Sequence, residues 1–216
     1  KTVINEVFFN NIEKYLKENM NILDIGTGNG YVLSEIKKRF QKKINLYGSD
    51  NSEQMLRKAQ DNCNIATLVL CDNYNMKFKS NYFDMVVAKN VTRFSAYEIY
   101  RILKPNGIFV FREYGKYKGM VEISKFFKKR LIRSRHKAFY DNKMKKVGFK
   151  IIESKYIIET RNFNDIEEVI KTIKSFPMID KFSNEDKELL RNKYKNHVNI
   201  KINSDGFIAV YKKEKI

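Results

Sequence analysis

Gly26, Gly28 and Gly30 stand at every second position directly after the apolar run Ile22–Ile25, which carries one acidic residue, Asp24. A glycine loop between a strand and a helix lets the backbone approach a ligand closely, and the helix follows at once. The spacing is G-x-G-x-G, not the G-x-G-x-x-G of dinucleotide binders, so the loop points away from NAD. Asp50 lies 20 residues beyond Gly30. At that distance a carboxylate can accept both hydroxyls of a ribose. The chemistry implied is recognition of a ligand with a nucleoside part.

Other polar residues end apolar runs in the same manner: Asp72 and Asn73, then Lys89 and Asn90, then Arg112, Glu113 and Tyr114. One such ending would be a turn. Repeated over five successive strands, the endings make a site, because open parallel sheets bind ligands at the carboxyl ends of their strands. Among groups able to take a proton, Glu113 and Tyr114 are best placed, with His136, Tyr140 and His197 as further candidates. Cys63 and Cys71 lack C-x-x-C spacing and a histidine-rich partner, so they read as reduced structural thiols, and no metal is expected.

The elements that must position these residues alternate. An amphipathic helix spans 3–18, with Val7, Phe8, Ile12, Tyr15 and Leu16 on one side. Strands are expected at 21–25, 44–49, 66–70, 83–88 and 107–112. Helices are expected at 31–40, 52–62 and 95–103, with Ser52 as an N-cap. Lys104-Pro105-Asn106-Gly107 is a turn in which Pro fixes φ and Gly permits a positive one. Helices at 121–133 and 138–147 lead to a long strand at 149–158. Two more, 166–175 and 184–194, are split by Phe176-Pro177-Met178, and a strand at 207–212 closes the pattern. Alternation with apolar strands implies a largely parallel sheet covered on both faces. Segments 115–140 and 160–198 are expected to form a lid over the ligand edge, with plain core cover as the other reading of the two helices between 160 and 198.

At 216 residues the chain reads as one domain, 1–216. Lysine and arginine number 43 against 25 acidic residues, a net charge of +18, which either favours polyanionic partners or, since the lysines are spread along the chain, decorates solvated faces. The densest cationic stretch is Lys125–Lys137. No run approaches the ~18 apolar residues of a membrane span, and no secretory signal is visible, so a cytoplasmic location is expected. The first residue is Lys1 rather than Met, so a few residues are expected to precede it.

The motifs together resemble the class I S-adenosylmethionine-dependent methyltransferases. Leu23-Asp24-Ile25-Gly26-Thr27-Gly28-Asn29-Gly30 is similar to that family's first motif. Tyr47-Gly48-Ser49-Asp50, with Ser52-Glu53-Gln54-Met55-Leu56 and Ala59, is similar to its second. Cys71-Asp72, Met76-Lys77-Phe78 and Phe83-Asp84-Met85-Val86-Val87 resemble the third region, and Arg101–Gly107 the helix-turn-strand signature. The match covers roughly 20–115 and the closing strands. It implies a doubly wound Rossmann-like α/β fold with seven mostly parallel strands in the order 3-2-1-4-5-7-6, the last antiparallel, plus helical lid insertions. It further implies S-adenosylmethionine as donor and S-adenosylhomocysteine as product. Asp50 would accept the ribose hydroxyls, Asn51 and Met55 would flank the adenine, and Asp72 with Asn73 would receive its amino group. Asp24, Gly26, Thr27 and Gly28 would meet the amino-acid end, with Asn90 beneath the methionine part. Asp24 could equally brace the loop through backbone N–H groups.

Methyl transfer is an in-line displacement with a neutral leaving group, so alignment and exclusion of water are the main requirements. Strand four ends Ala88-Lys89-Asn90-Val91, without the Asn/Asp-Pro-Pro-Tyr/Phe box used on exocyclic base amines. There is no Pro-Cys pair for cytosine carbon-5 and no cysteine cluster for arsenic. The expected acceptor is a small molecule or peptide under a lid roofed by Tyr117, Phe126, Phe127, Phe139, Tyr140, Phe163, Phe176 and Phe182. The alternative is RNA, above all tRNA, held by the 125–137 surface. A third reading is a cofactor-binding subunit that activates a partner. Whether the protein is an oligomer is left open.

Overall fold

The computed structural model describes residues 2–176 and 178–214. Seven strands form one sheet in the order β3-β2-β1-β4-β5-β7-β6. β1 (Asn21–Ile25), β2 (Asn45–Asp50), β3 (Thr67–Leu70), β4 (Phe83–Lys89) and β5 (Leu103–Tyr114) run parallel. β7 (Ile200–Lys213) is antiparallel to both β5 and β6 (Phe149–Phe163). The expected order and the reversed last strand are borne out.

Period-two alternation decides the two cores. Leu23, Val86, Phe109, Phe111 and Tyr211 point to one face and join Phe94, Ile99 and Tyr140. Ile22, Met85, Val87, Val110 and Val210 point to the other and meet Phe8, Phe9, Ile12, Leu33 and Ile36. Burying each such side chain contributes about 1.5–3 kcal/mol, so the sheet is fixed from both sides. The helices on those faces are α1 (Val3–Tyr15), α2 (Tyr31–Arg39), α3 (Glu53–Asn62), α4 (Ala96–Ile102) and, later, α6 (Lys137–Lys145). Ser52 caps α3 by accepting from Met55 N at 3.3 Å, and Ser95 caps α4 by accepting from Glu98 N at 3.2 Å.

A third core belongs to neither sheet face. Met120, Ile123, Phe127, Phe163, Ile170, Ile173, Leu190 and Ile202 bury one another. They come from α5 (Val121–Phe126), α7 (Ile166–Ser175), α8 (Asn184–Lys193) and the far ends of β6 and β7. α8 begins with a capping box between Ser183 and Asp186.

Several expectations are corrected. The helix expected over 121–133 stops at Phe126, followed by a 3-10 turn at Lys128–Arg130. Backbone pairing with a distant segment replaces the helical ladder: Ile132 N donates to Met178 O and Asp180 N to Arg130 O. The first helix ends at Tyr15 rather than residue 18, and Asn19 takes a left-handed φ of 62° to turn into β1. β6 runs on to Phe163 and β7 starts at Ile200, because the third core packs on their extension. The Lys104–Gly107 turn is an irregularity between the pairs Phe83↔Leu103 and Met85↔Ile108. Its positive φ, 65°, belongs to Asn106 and not to Gly107. Gly107 is required by closeness instead: a Cβ there would meet Lys104 O at 2.8 Å. In the Phe176-Pro177-Met178 break, Pro177 lies outside the described residues. Among the described residues no helix is long and apolar enough to cross a membrane.

Candidate active site

A cleft of about 380 Å³ opens at the carboxyl ends of β1 to β4. Gly26, Asp50, Asn51, Asp72, Asn73 and Asn90 line it, together with Tyr74, Val91, Thr92 and Arg93. The strand order alone brings these residues together, since they lie on four separate stretches of chain.

The glycine loop is shaped by its neighbours. Thr27 N donates to Ser49 O at 2.9 Å, and Gly28 N donates to Asp50 Oδ2 at 3.0 Å. Asp50 Oδ1 accepts from Ser52 N at 3.0 Å. Asp50, not Asp24, therefore braces the loop, while each of its oxygens keeps a lone pair for a ligand. Gly28 has a φ of 55° and open space where a Cβ would point, whereas a Cβ at Gly30 would meet Ala59 Cα at 3.0 Å. One glycine leaves room for a guest and the other lets α2 and α3 close together.

Asp24 is 1% exposed, and its Oδ2 has no hydrogen-bond partner. Burial pushes its carboxyl up to about 7, against the pulls of the nearby Thr27 hydroxyl and the Lys89 ammonium. Lys89, at the end of β4, is lowered to about 8 by burial and by the Arg112 guanidinium. Glu113 is 4% exposed; its Oε1 accepts from Tyr114 N at 2.7 Å and its Oε2 is unpartnered. Burial raises Glu113 to about 7, with Arg112, Lys118 and Lys89 opposing. Two carboxyls thus titrate near neutrality at the strand ends, with Lys89 lowered to about 8 between them and Lys118 lowered by burial.

Asn90 holds a left-handed φ of 60° and donates from its backbone N to Arg112 O at 2.9 Å. Its side-chain oxygen accepts from Arg112 Nη1. Arg112 is buried and lies 4.4 Å over the Tyr114 ring. Asp72 Oδ1 accepts from Tyr74 N at 2.7 Å, and Asn73 O accepts from Ser95 N at 3.0 Å. Met55 lies in the first turn of α3, exposed, outside the cleft lining.

The remaining candidates disperse. Tyr140 is fully buried among Phe94, Phe111 and Phe207, and its hydroxyl donates to Thr92 O at 3.3 Å. Burial drives its ionisation far above the ordinary value, so it is a core residue and not a base. His136 is exposed on the wall of a second cleft. His197 lies beyond α8, beside Tyr194. Tyr114 packs at 5.0 Å against Phe176.

The expected aromatic roof is also corrected. Phe127 and Phe163 are consumed in the third core, which Phe176 and Phe182 flank, and Phe126 and Phe139 face solvent. Of that set only Tyr117 lines the second cleft, about 870 Å³, whose other walls include Lys116, Lys125, Lys128, Lys129 and Arg133. Asp205 on β7 positions the loop that carries Lys116: its carboxylate accepts from Tyr117 N and Gly119 N, both at 2.9 Å. Lys118, Thr92 and Arg93 carry no local motif and were not singled out from sequence. The polar ending of β4 was the available signal for Lys89.

The site has the character of a receptor for a polar guest. Asp24 Oδ2, Ser49 Oγ and Asn73 Oδ1 are all buried without partners. Each such atom costs about 1–3 kcal/mol while it stays unpaired. Among the described residues, no group of three or more His, Cys, Asp or Glu is arranged to hold a metal ion.

Comparison with known proteins agrees. The methyltransferase domain family model matches residues 23–111. The ubiquinone/menaquinone biosynthesis C-methyltransferase of Rickettsia bellii (strain OSU 85-389) is 26% identical over 92% of this chain and 77% of its own length. A Bacillus halodurans C-125 crystal structure assigned as a methyltransferase superposes with a TM-score of 0.73 at 16% identity, covering 97% of this chain and all of that one. Phosphoethanolamine N-methyltransferase 2 of Haemonchus contortus, solved with phosphomonomethylethanolamine and S-adenosylhomocysteine, has a TM-score of 0.59 at 20% identity. That match covers 97% of this chain and 53% of the other.

Proposed function

We propose that this chain, which is a class I S-adenosylmethionine-dependent methyltransferase, delivers the methyl group to an anionic acceptor. The donor half rests on one observation, the unpartnered buried Asn73 Oδ1 in the wall of the 380 Å³ cleft, with Asp24 Oδ2 and Ser49 Oγ unpartnered on the strands β1 and β2 that end there. In this reading Asp50 accepts the ribose hydroxyls with its remaining lone pairs. Asn51 flanks the adenine, and Asp72 Oδ2 and Asn73 Oδ1 receive its amino group. Asp24, with the Gly26–Gly28 backbone, meets the cationic amino-acid end, and Asn90 lies beneath the methionine part. Bound there, S-adenosylmethionine supplies a methyl group already activated on a sulfonium sulfur.

The chain's own residues then have three tasks. The braced Gly26–Gly30 loop and Asn90 fix the donor's position, which is where most of the acceleration of a displacement arises. Glu113, deprotonated above about pH 7, takes the acceptor's proton on Oε2. Segments 115–140 and 160–198 act as the lid that keeps water out.

For the acceptor, the sequence favoured a small molecule or peptide beneath an apolar roof. The cationic lining of the 870 Å³ cleft favours a negatively charged one instead. Arg135 Nη1 donates to Thr92 O at 3.3 Å, so the segment that walls this cleft also touches the donor cleft. The test uses S-adenosylmethionine labelled in its methyl group and a panel of phosphate-bearing, carboxylate-bearing, neutral and cationic acceptors, with pooled small RNA included. Label is expected only in anionic products. Label confined to neutral or cationic products would refute the reading.

A further inference from the structure

The 870 Å³ cleft does not stand alone. Two neighbouring grooves, about 450 and 550 Å³, share Lys125, Phe126, Lys128 and Lys129 with it or with each other. Together they form one track from the loop after β5, across α5 and the 3-10 turn, to the end of α8. Lys116, Lys125, Lys128, Lys129, Arg133 and Lys193 supply its charge, and none forms a salt bridge among the described residues. Among the described residues the single carboxylate lining the track, Glu122, is engaged by Asn203 N and Nδ2, both at 2.8 Å.

Aromatic rings are interleaved with the cations. Phe126 is 42% exposed, with Lys193 Nζ 4.9 Å from its ring centre. Tyr117 has Lys116 at 5.5 Å and Lys125 at 5.7 Å. An exposed phenylalanine beside unpaired lysines has no value to a lone phosphate, which needs only charge. Rings that accept stacked bases, alternating with cations that follow a backbone, are what single strands require. A track of three grooves also exceeds what one metabolite would fill.

We propose that this track binds single-stranded RNA and leads one nucleotide past Thr92 to the methyl donor. The proposal rests on the methyltransferase reading above and narrows its anionic acceptor to RNA. A nucleotide separated from its neighbours could reach the Glu113 side of the cleft, whereas a base inside a duplex could not.

The experiment follows binding of a fluorescein-labelled single-stranded RNA 12-mer by anisotropy at several salt concentrations. S-adenosylmethionine binding is measured by calorimetry on the same samples. The wild-type protein is expected to bind the strand more tightly than the matching duplex or phosphatidylserine vesicles. Lys128→Ala with Lys129→Ala should reduce the slope of log K against log salt by about 1.4, or 0.7 per lost phosphate contact. Phe126→Ala should weaken binding by about fivefold or more with the slope unchanged, as a lost stacking platform does. Both variants should keep the wild-type donor affinity, which marks them as folded. Intact donor binding without RNA binding, or variants that leave RNA affinity and slope unchanged, would overturn the RNA proposal and leave the methyltransferase reading standing. Tighter binding to vesicles than to RNA would overturn it in favour of a membrane surface. Failure of the wild-type protein to bind the donor would instead strike the underlying reading.

Discussion

Replacing Asp24 by asparagine should make the ligand-free protein more stable, and more so at higher pH. The carboxyl is 1% exposed and held at about 7, against an ordinary value of 3.8. A raised folded pKa means that the unfolded chain loses its proton first. Stability is therefore full below pH 3.8 and falls as pH rises, until the folded form also ionises near 7. Three pKa units correspond to about 4 kcal/mol once the loss is complete. At pH 5 a little over one unit of that gap has been crossed, about 2 kcal/mol. Asparagine has the same shape and no such loss. The advantage of Asp24→Asn should thus grow by about 2–3 kcal/mol between pH 5 and pH 8. Urea denaturation at the two pH values reads this directly. With a slope near 2 kcal/mol per molar, the midpoint difference between variant and wild type should widen by about 1 M. A difference that is the same at both pH values, or a variant less stable at pH 8, would refute the account. The same variant should bind S-adenosylmethionine more weakly, if that carboxylate meets the donor's cationic end as proposed.

Two further outcomes follow from the donor site. Asp50→Ala should weaken S-adenosylmethionine binding by about 1–3 kcal/mol in calorimetry, through lost hydrogen bonds and a slackened Gly28 loop; unchanged affinity would remove Asp50 from the site. Glu113 at about 7 must be deprotonated to accept a proton, so methyl transfer should rise with pH through that value. Glu113→Gln should lower the rate by about 10²–10⁴-fold and abolish that limb. A wild-type limb that survives the substitution would exclude Glu113 as the base.

The donor half of the molecule was legible because its determinants are local. Gly26, Gly28 and Gly30 announce a loop by spacing, Asp50 follows at a fixed distance, and Ser52 and Ser95 mark helix starts. Near-continuous apolar runs such as Ile22–Ile25 and Ile108–Phe111 identify strands buried on both faces. What escaped depends on contacts between distant segments. Nothing within 121–133 says that residues 178–180 will pair with it and end the helix at Phe126. Tyr140 and Phe163 look alike as aromatic residues in a presumed lid, yet one fills the sheet core and the other the third cluster. That Asp50 also braces the glycine loop escaped for the same reason: which carboxylate reaches the loop depends on the neighbouring strand's register, Asp24↔Gly48 and Ile25↔Ser49. Lys89, Arg112 and Glu113 were visible as strand ends, but their mutual field appears only when β4 and β5 pair as Lys89↔Arg112.

The position of β7 bears on how the molecule is made. It lies between β5 and β6 although both precede it in the chain. While a ribosome is still producing residues 200–213, β5 shows an open edge carrying Ile108, Phe109, Val110 and Phe111. In the same interval β6 has no partner in the sheet at all. An unpaired apolar edge invites association with other chains. Completion of the sheet thus waits on one late insertion, which seals β5, recruits β6 and builds the third core in a single step. Nascent chains interrupted before that point are the ones a chaperone would have to shield.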